Sequence, residues 1–175
     1  MCSLIERLES RTFLSAAHPA VAVAVATAPV VTQSADHHTL TVTNARNVQI
    51  TEVADGFLDV TDKYTGITQH FGGGTEDVAI KTLRVYGTSA ADRMSFGGWT
   101  VNATFYGYAG DDTILVSDNG TGLTAGRTSV YGGTGNDTLG VTNSNFTVLS
   151  GDEGSDTFLG PSRSSNPNTP PKFIQ

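Results

Sequence analysis

Three short stretches carry the same residue types at the same spacing. FYGYAGDDTIL (105–115), VYGGTGNDTLG (130–140) and LSGDEGSDTFL (149–159) each contain Gly-x-x-Gly-x-Asp-Thr-apolar. Glycine tolerates positive φ, so a tight turn built on it can aim its carbonyl oxygens inward. Carbonyls joined by an aspartate carboxylate make a hard site of oxygens only, which suits a calcium ion and not zinc or copper. The residues that would build such sites are Gly107, Gly110 and Asp112, then Gly132, Gly133, Gly135 and Asp137, then Gly151, Gly154 and Asp156. Upstream, VYGTSAADRMS (85–95) keeps Tyr86, Gly87 and Asp92 but has Ala90 in place of the second glycine, as a decayed copy would.

The elements that must position these turns follow from the flanking residues. Thr-Ile-Leu-Val, Thr-Leu-Gly-Val and Thr-Phe-Leu come straight after the aspartates. These are β-formers, so each turn feeds a strand, and alternation places Ile114, Leu139 and Phe158 on one face. The aspartates recur at intervals of 20, 25 and 19 residues from Asp92 to Asp156. That spacing predicts one aspartate turn per coil, stacked along one edge. Variable loops would occupy the other edge, at Ser117 to Gly126, Thr142 to Asn145 and Gly97-Gly98. Carboxylates stacked about 4.8 Å apart would repel by roughly 3 kcal/mol per neighbouring pair at an effective dielectric near 20, less if they splay towards water. A shared cation would reverse that sign.

The repeat resembles the RTX, or haemolysin-type, motif G-G-x-G-x-D-x-U-x of calcium-binding parallel β-rolls. Only the 130–140 copy has both leading glycines; Tyr108 and Asp152 stand at the second position in the others. The resemblance implies a parallel β-roll or β-solenoid over 85–160, with Ca²⁺ held between successive turns. It also implies turns about 18 residues apart on one edge, two nonapeptides per coil. A second resemblance covers nine residues: Leu8 to Ala16, LESRTFLSA, is similar to the LEPR-XLL leader of large exported bacterial proteins, with Ser10 for Pro and Phe13 for Leu. It implies a secreted or cell-surface location.

Ser3 with Glu6 fits a capping box, and Leu4, Ile5 and Leu8 share a helical face, so a short N-terminal helix is expected within a leader over 1–17. Residues 18–39 read as a linker. Residues 40–84 read as β-rich first coils or a cap, with turns at Asp55-Gly56 and Thr65-Gly66. PSRSSNPNTPPKFIQ closes the chain, and 161–175 reads as a disordered tail. The Pro19 to Val31 run is too short to span a bilayer as a helix, so no membrane span is expected.

Composition narrows the chemistry. The 175-residue chain has a formal net charge of -7, which disfavours nucleic acid. Its single cysteine, Cys2, excludes a disulfide framework and a cysteine zinc site. Gly72-Gly73-Gly74 lacks the residues of a phosphate loop, and His37-His38 is a weak metal pair in a polar stretch. No nucleophile or metalloprotease motif appears, so no enzyme is expected. The expected function is structural: a secreted or surface β-solenoid folded or rigidified by calcium, with cell-surface polysaccharide or other surface proteins as candidate partners. The alternatives are a glycan-binding adhesion module using Tyr106, Tyr108 and Tyr131, and a β-helix lyase or hydrolase acting on polysaccharide.

Overall fold

The structure is a computed structural model that describes residues 27–72, 79–118, 126–142, 146–160 and 173–174. It is all-β among these residues, with two seven-stranded mixed sheets that do not close into a barrel. The leader and its expected helix lie outside the described residues.

The first sheet contains β1 (Val30–Gln33), β2 (Thr39–Thr43), β6 (Thr82–Tyr86), β8 (Asn102–Ala109), β10 (Thr128–Thr134), β12 (Phe146–Glu153) and β14 (Phe173–Ile174), side by side in that order. The second runs β13 (Thr157–Leu159), β11 (Thr138–Thr142), β9 (Thr113–Asp118), β7 (Arg93–Gly98), β3 (Asn47–Ala54), β4 (Phe57–Asp62) and β5 (Thr68–Phe71). From β6 onward the chain alternates between the sheets, and every pairing there is parallel. Antiparallel pairing is confined to the N-terminal part, where β1 meets β2 and β3, β4 and β5 form successive hairpins.

Two sequence expectations differ in place. Strand β1 lies within the stretch read as a linker, and β14 within the stretch read as a tail. Each is short and lacks a full alternating pattern of its own; pairing to β2 and to β12 is what makes it a strand. The turns expected at Asp55-Gly56 and Thr65-Gly66 both form, with Gly56 and Gly66 at φ of 70° and 74°. Gly97 and Gly98 belong to β7, so that edge turns at residues 99–101 instead.

Strict alternation explains the core. Leu83 and Val85 of β6, Ala103 and Phe105 of β8, and Val130 of β10 face inward from the first sheet. Met94 and Phe96 of β7, Ile114 and Val116 of β9, and Leu139 and Val141 of β11 face inward from the second. Phe96 and Phe105 meet across the gap with ring centroids 6.1 Å apart. Ile114, Leu139 and Phe158 share one register line, so the face predicted from the sequence is real. Burial of these side chains supplies the main stabilisation, at about 1.5–3 kcal/mol for each large apolar group.

A candidate cation site along a column of corners

Parallel register decides where the aspartates go. Arg93, Thr113, Thr138 and Thr157 pair in line across β7, β9, β11 and β13. The residues just before them are Asp92, Asp112, Asp137 and Asp156, which therefore form one column at one edge. The chain joins them through its backbone as well: the amides of Thr113, Thr138 and Thr157 donate to the carbonyls of Asp92, Asp112 and Asp137.

The carboxylates point inward, not towards water. Asp92, Asp112 and Asp137 are each 1% exposed, while Asp156 at the end of the column is half-buried. Asp112, Asp137 and Asp156 each reach the preceding corner through one oxygen. The amide of Asp92 donates to Asp112 Oδ1 at 2.8 Å, that of Asp112 to Asp137 Oδ1 at 2.8 Å, and that of Asp137 to Asp156 Oδ1 at 2.9 Å. A parallel ladder lies one residue earlier and runs the other way: the amide of Asn136 donates to Asp111 Oδ1 and that of Ser155 to Asn136 Oδ1. Asp111, which reads in sequence as a solvated surface acid, is thus exposed yet engaged.

Glycine makes the inward turn possible. A Cβ on Gly107 would collide with Asp112 Oδ2 and with the carbonyl oxygen of Gly132. One on Gly132 would collide with Asp137 Oδ2 and the carbonyl oxygen of Gly151, and one on Gly151 with the Asp156 carboxylate. So the first glycine of each copy vacates the volume that its own carboxylate fills. The second glycines have a different task. Gly110, Gly135 and Gly154 have φ of 111°, 133° and 144°, and stack so closely that a Cβ would strike the backbone of the preceding corner. Gly133, at φ 111°, shares its left-handed backbone with Tyr108 and Asp152 at the matching positions. That is why a copy without the second leading glycine still forms the same corner.

The second carboxylate oxygen is the feature that matters chemically. Asp112 Oδ2 and Asp137 Oδ2 are buried without any hydrogen-bond partner. Each lies at the space vacated by glycine, where the same added Cβ would also meet a carbonyl oxygen of the next corner. A buried carboxylate oxygen without a donor, with further acceptors around the same space, is unfavourable unless a proton or a cation meets it. Burial pushes Asp112 up to about 7, aided by the charges of Asp92, Asp137 and Asp111 and opposed by the Asp92 amide. Burial also raises Asp137, with Asp156, Asp111 and Asp152 adding to it against the Asp112 amide.

The fit to a hard divalent ion can be judged on this donor set. Among the described residues, no three His, Cys, Asp or Glu side chains converge into a metal-holding group. A cage of side chains is therefore not what these corners offer. They offer an orphaned carboxylate oxygen and the backbone carbonyls of Gly132 and Gly151, all hard oxygens, which suits calcium. Sequence reasoning picked out the residues and their stacking on one edge, but not how deeply the carboxylates are buried. Their inward turn depends on room that only the folded glycine backbone provides.

Two other features bear on function. Tyr86, Tyr106 and Tyr131 stack face to face on the outside of the first sheet, with centroids 5.2 Å apart at each step, and Tyr108 leans against Tyr86 and Tyr106. Both faces of Tyr106 are taken by its neighbours. At the other end of the second sheet's strands, near the end of β3, Glu52 is 1% exposed and had no sequence signature. It accepts from the amides of Gly56, Trp99 and Thr100 and from the Thr100 hydroxyl. Of the histidines, His38 Nδ1 contacts the Ala79 carbonyl and exposed His70 pairs with Asp59. No family model, curated protein or solved structure matches this chain. Among the described residues, no helix is long and apolar enough to cross a membrane.

Proposed function

We propose that the chain is a calcium-binding structural β-solenoid of a secreted or cell-surface protein, folded or rigidified by Ca²⁺. One observation carries this reading: two fully buried aspartates, Asp112 and Asp137, each have an oxygen with no donor, at a space that a carbonyl oxygen also borders. A fold that buries an ionised oxygen without a partner loses several kcal/mol, so the arrangement needs a positive charge or a proton at each corner.

In this reading Asp112 with the Gly132 carbonyl, and Asp137 with the Gly151 carbonyl, hold one ion each between successive corners. The Oδ1 ladder keeps each carboxylate in place, so only Oδ2 is left to bind. Glycine at 107, 132 and 151 keeps the space clear. Calcium, when bound, supplies the charge that offsets the column of acids. Because the ion binds only where two corners have met, it stabilises the folded form by mass action. Export then has a physical logic: sites filled at about 10⁻⁴–10⁻³ M stay empty where free calcium is scarce and fill outside the cell.

The stacking favours this structural role over glycan adhesion through Tyr106, because both of its ring faces are already covered by Tyr86 and Tyr131. The test is circular dichroism and thermal melting of the whole chain in calcium, magnesium and chelator. Calcium is expected to raise the β-signal and the melting temperature well above the chelator values. An equal response to magnesium would reduce the effect to charge screening, and no response would remove the reading.

A further inference from the structure

The column of corners does not begin with an aspartate. Asn47 of β3 pairs with Arg93 of β7, which puts Arg46 in line with Asp92. The backbone agrees: the amide of Arg93 donates to the Arg46 carbonyl, as the amide of Thr113 donates to the Asp92 carbonyl. Arg46 thus occupies the aspartate's place in the first corner and sets a permanent positive charge at the head of the acids. Its charge opposes the burial that raises Asp92.

Asp92 also differs from Asp112 and Asp137 in its oxygens. Oδ2 accepts from the Thr88 amide at 2.5 Å, and Oδ1 accepts from the Thr88 hydroxyl at 2.9 Å. The cradle itself is present, since a Cβ on Gly87 would collide with Asp92 Oδ2 and crowd the Gly107 carbonyl oxygen. What is missing is the demand for an ion. The cause is one residue. Tyr108 and Gly133, at the positions matching Thr88, have left-handed backbone, and no hydrogen bond reaches the free oxygens of their aspartates. A β-branched residue resists that conformation, so Thr88 keeps negative φ and turns its amide onto Asp92.

We infer that Thr88 and Arg46 take the place of a cation at the first corner, so that β1–β7 fold without ions and present a template on which the later strands close when calcium arrives. This rests on the calcium reading of Asp112 and Asp137. The N-terminal part is equipped for independence: it holds all the antiparallel pairings among the described residues, and its strands supply Leu40, Ile50, Leu58, Leu83 and Phe96 to the shared core. From β8 onward every pairing among the described residues is parallel and no antiparallel hairpin braces the strands, so their stacked acid corners carry more of the cost of closing.

Two measurements on the whole chain test it. Equilibrium dialysis with calcium compares the wild type with Thr88→Gly, which removes the hydroxyl and permits left-handed backbone. The variant is expected to bind one ion more than the wild type. An unchanged count in a variant that folds, by circular dichroism, overturns the inference while leaving the calcium reading intact. A wild type that binds no calcium overturns both. Hydrogen exchange of the wild type in chelator provides the second arm, independent of whether Thr88→Gly folds. Amides in 40–62 and 80–98 should stay protected, while those in 102–118, 128–142 and 146–159 exchange at least about tenfold faster than with calcium. Loss of protection throughout, or retention throughout, would refute the two-part behaviour.

Discussion

Glu52 and Asp137 are both carboxylates 1% exposed to solvent, and they belong to opposite ends of the second sheet's strands. Glu52 is surrounded by donors: three amides and a hydroxyl converge on it, so its charge is fully met by the chain. Asp137 has one amide, that of Asp112, on Oδ1, and an unpartnered Oδ2 at the space vacated by Gly132. Burial alone therefore says little about a carboxylate's purpose. The first is a peg that ties the 99–101 turn to the β3–β4 hairpin. The second is a group waiting for a positive partner. Asp92 lies between these cases, with donors from Thr88 and a cation from Arg46.

That contrast can be broken most strongly with pH. Asp112 is raised in the fold to about 7, so the folded chain holds this proton more tightly than the unfolded chain does. In chelator, stability should be greatest at or below about pH 4 and fall as pH rises to about 7, by on the order of 4 kcal/mol as an upper figure. Raised Asp137 and Asp92 act in the same direction. Calcium needs the ionised carboxylate, so its stabilisation should grow over the same window and flatten or invert the trend. Denaturant titrations from pH 4 to 8, with and without the ion, check this; a chelator series that is flat would show that these oxygens are not in need of charge.

Next in size is Glu52→Gln. Turning an amide group on three backbone donors should cost about 3 kcal/mol, equally in calcium and in chelator. A cost confined to one condition would mean that the two ends are coupled. Gly132→Ala should then cost about 2 kcal/mol by overpacking the space of Asp137, and should also abolish the calcium response of that corner. The smallest change is the sharpest for the comparison. Asp137→Asn keeps the shape and removes the buried charge, so it should change stability in chelator by about 1 kcal/mol or less, while most of the gain on adding calcium disappears. If Asp137→Asn were as costly without calcium as Glu52→Gln, Asp137 would be a peg as well.

Much of this protein was legible from residue types and spacing. Strand alternation, the Gly-Asp turns at Gly107–Asp112, Gly132–Asp137 and Gly151–Asp156, the turns at Gly56 and Gly66, and the shared inward face of Ile114, Leu139 and Phe158 all follow from local rules. A β period of two and a glycine requirement at left-handed φ act within a few residues, so sequence order exposes them. Strands β1 and β14 were not legible, because a short segment becomes a strand only when a distant one offers its edge.

The direction of the aspartates, the peg at Glu52 and the place of Arg46 at the head of the acid column were decided by tertiary structure alone. Each joins residues that are far apart in the chain: Glu52 with Thr100, Asp112 with Asp137, Arg46 with Asp92. Whether a carboxylate oxygen is met by a donor or left without one depends on which strand lies next to it. Parallel register, not local sequence, sets that neighbour.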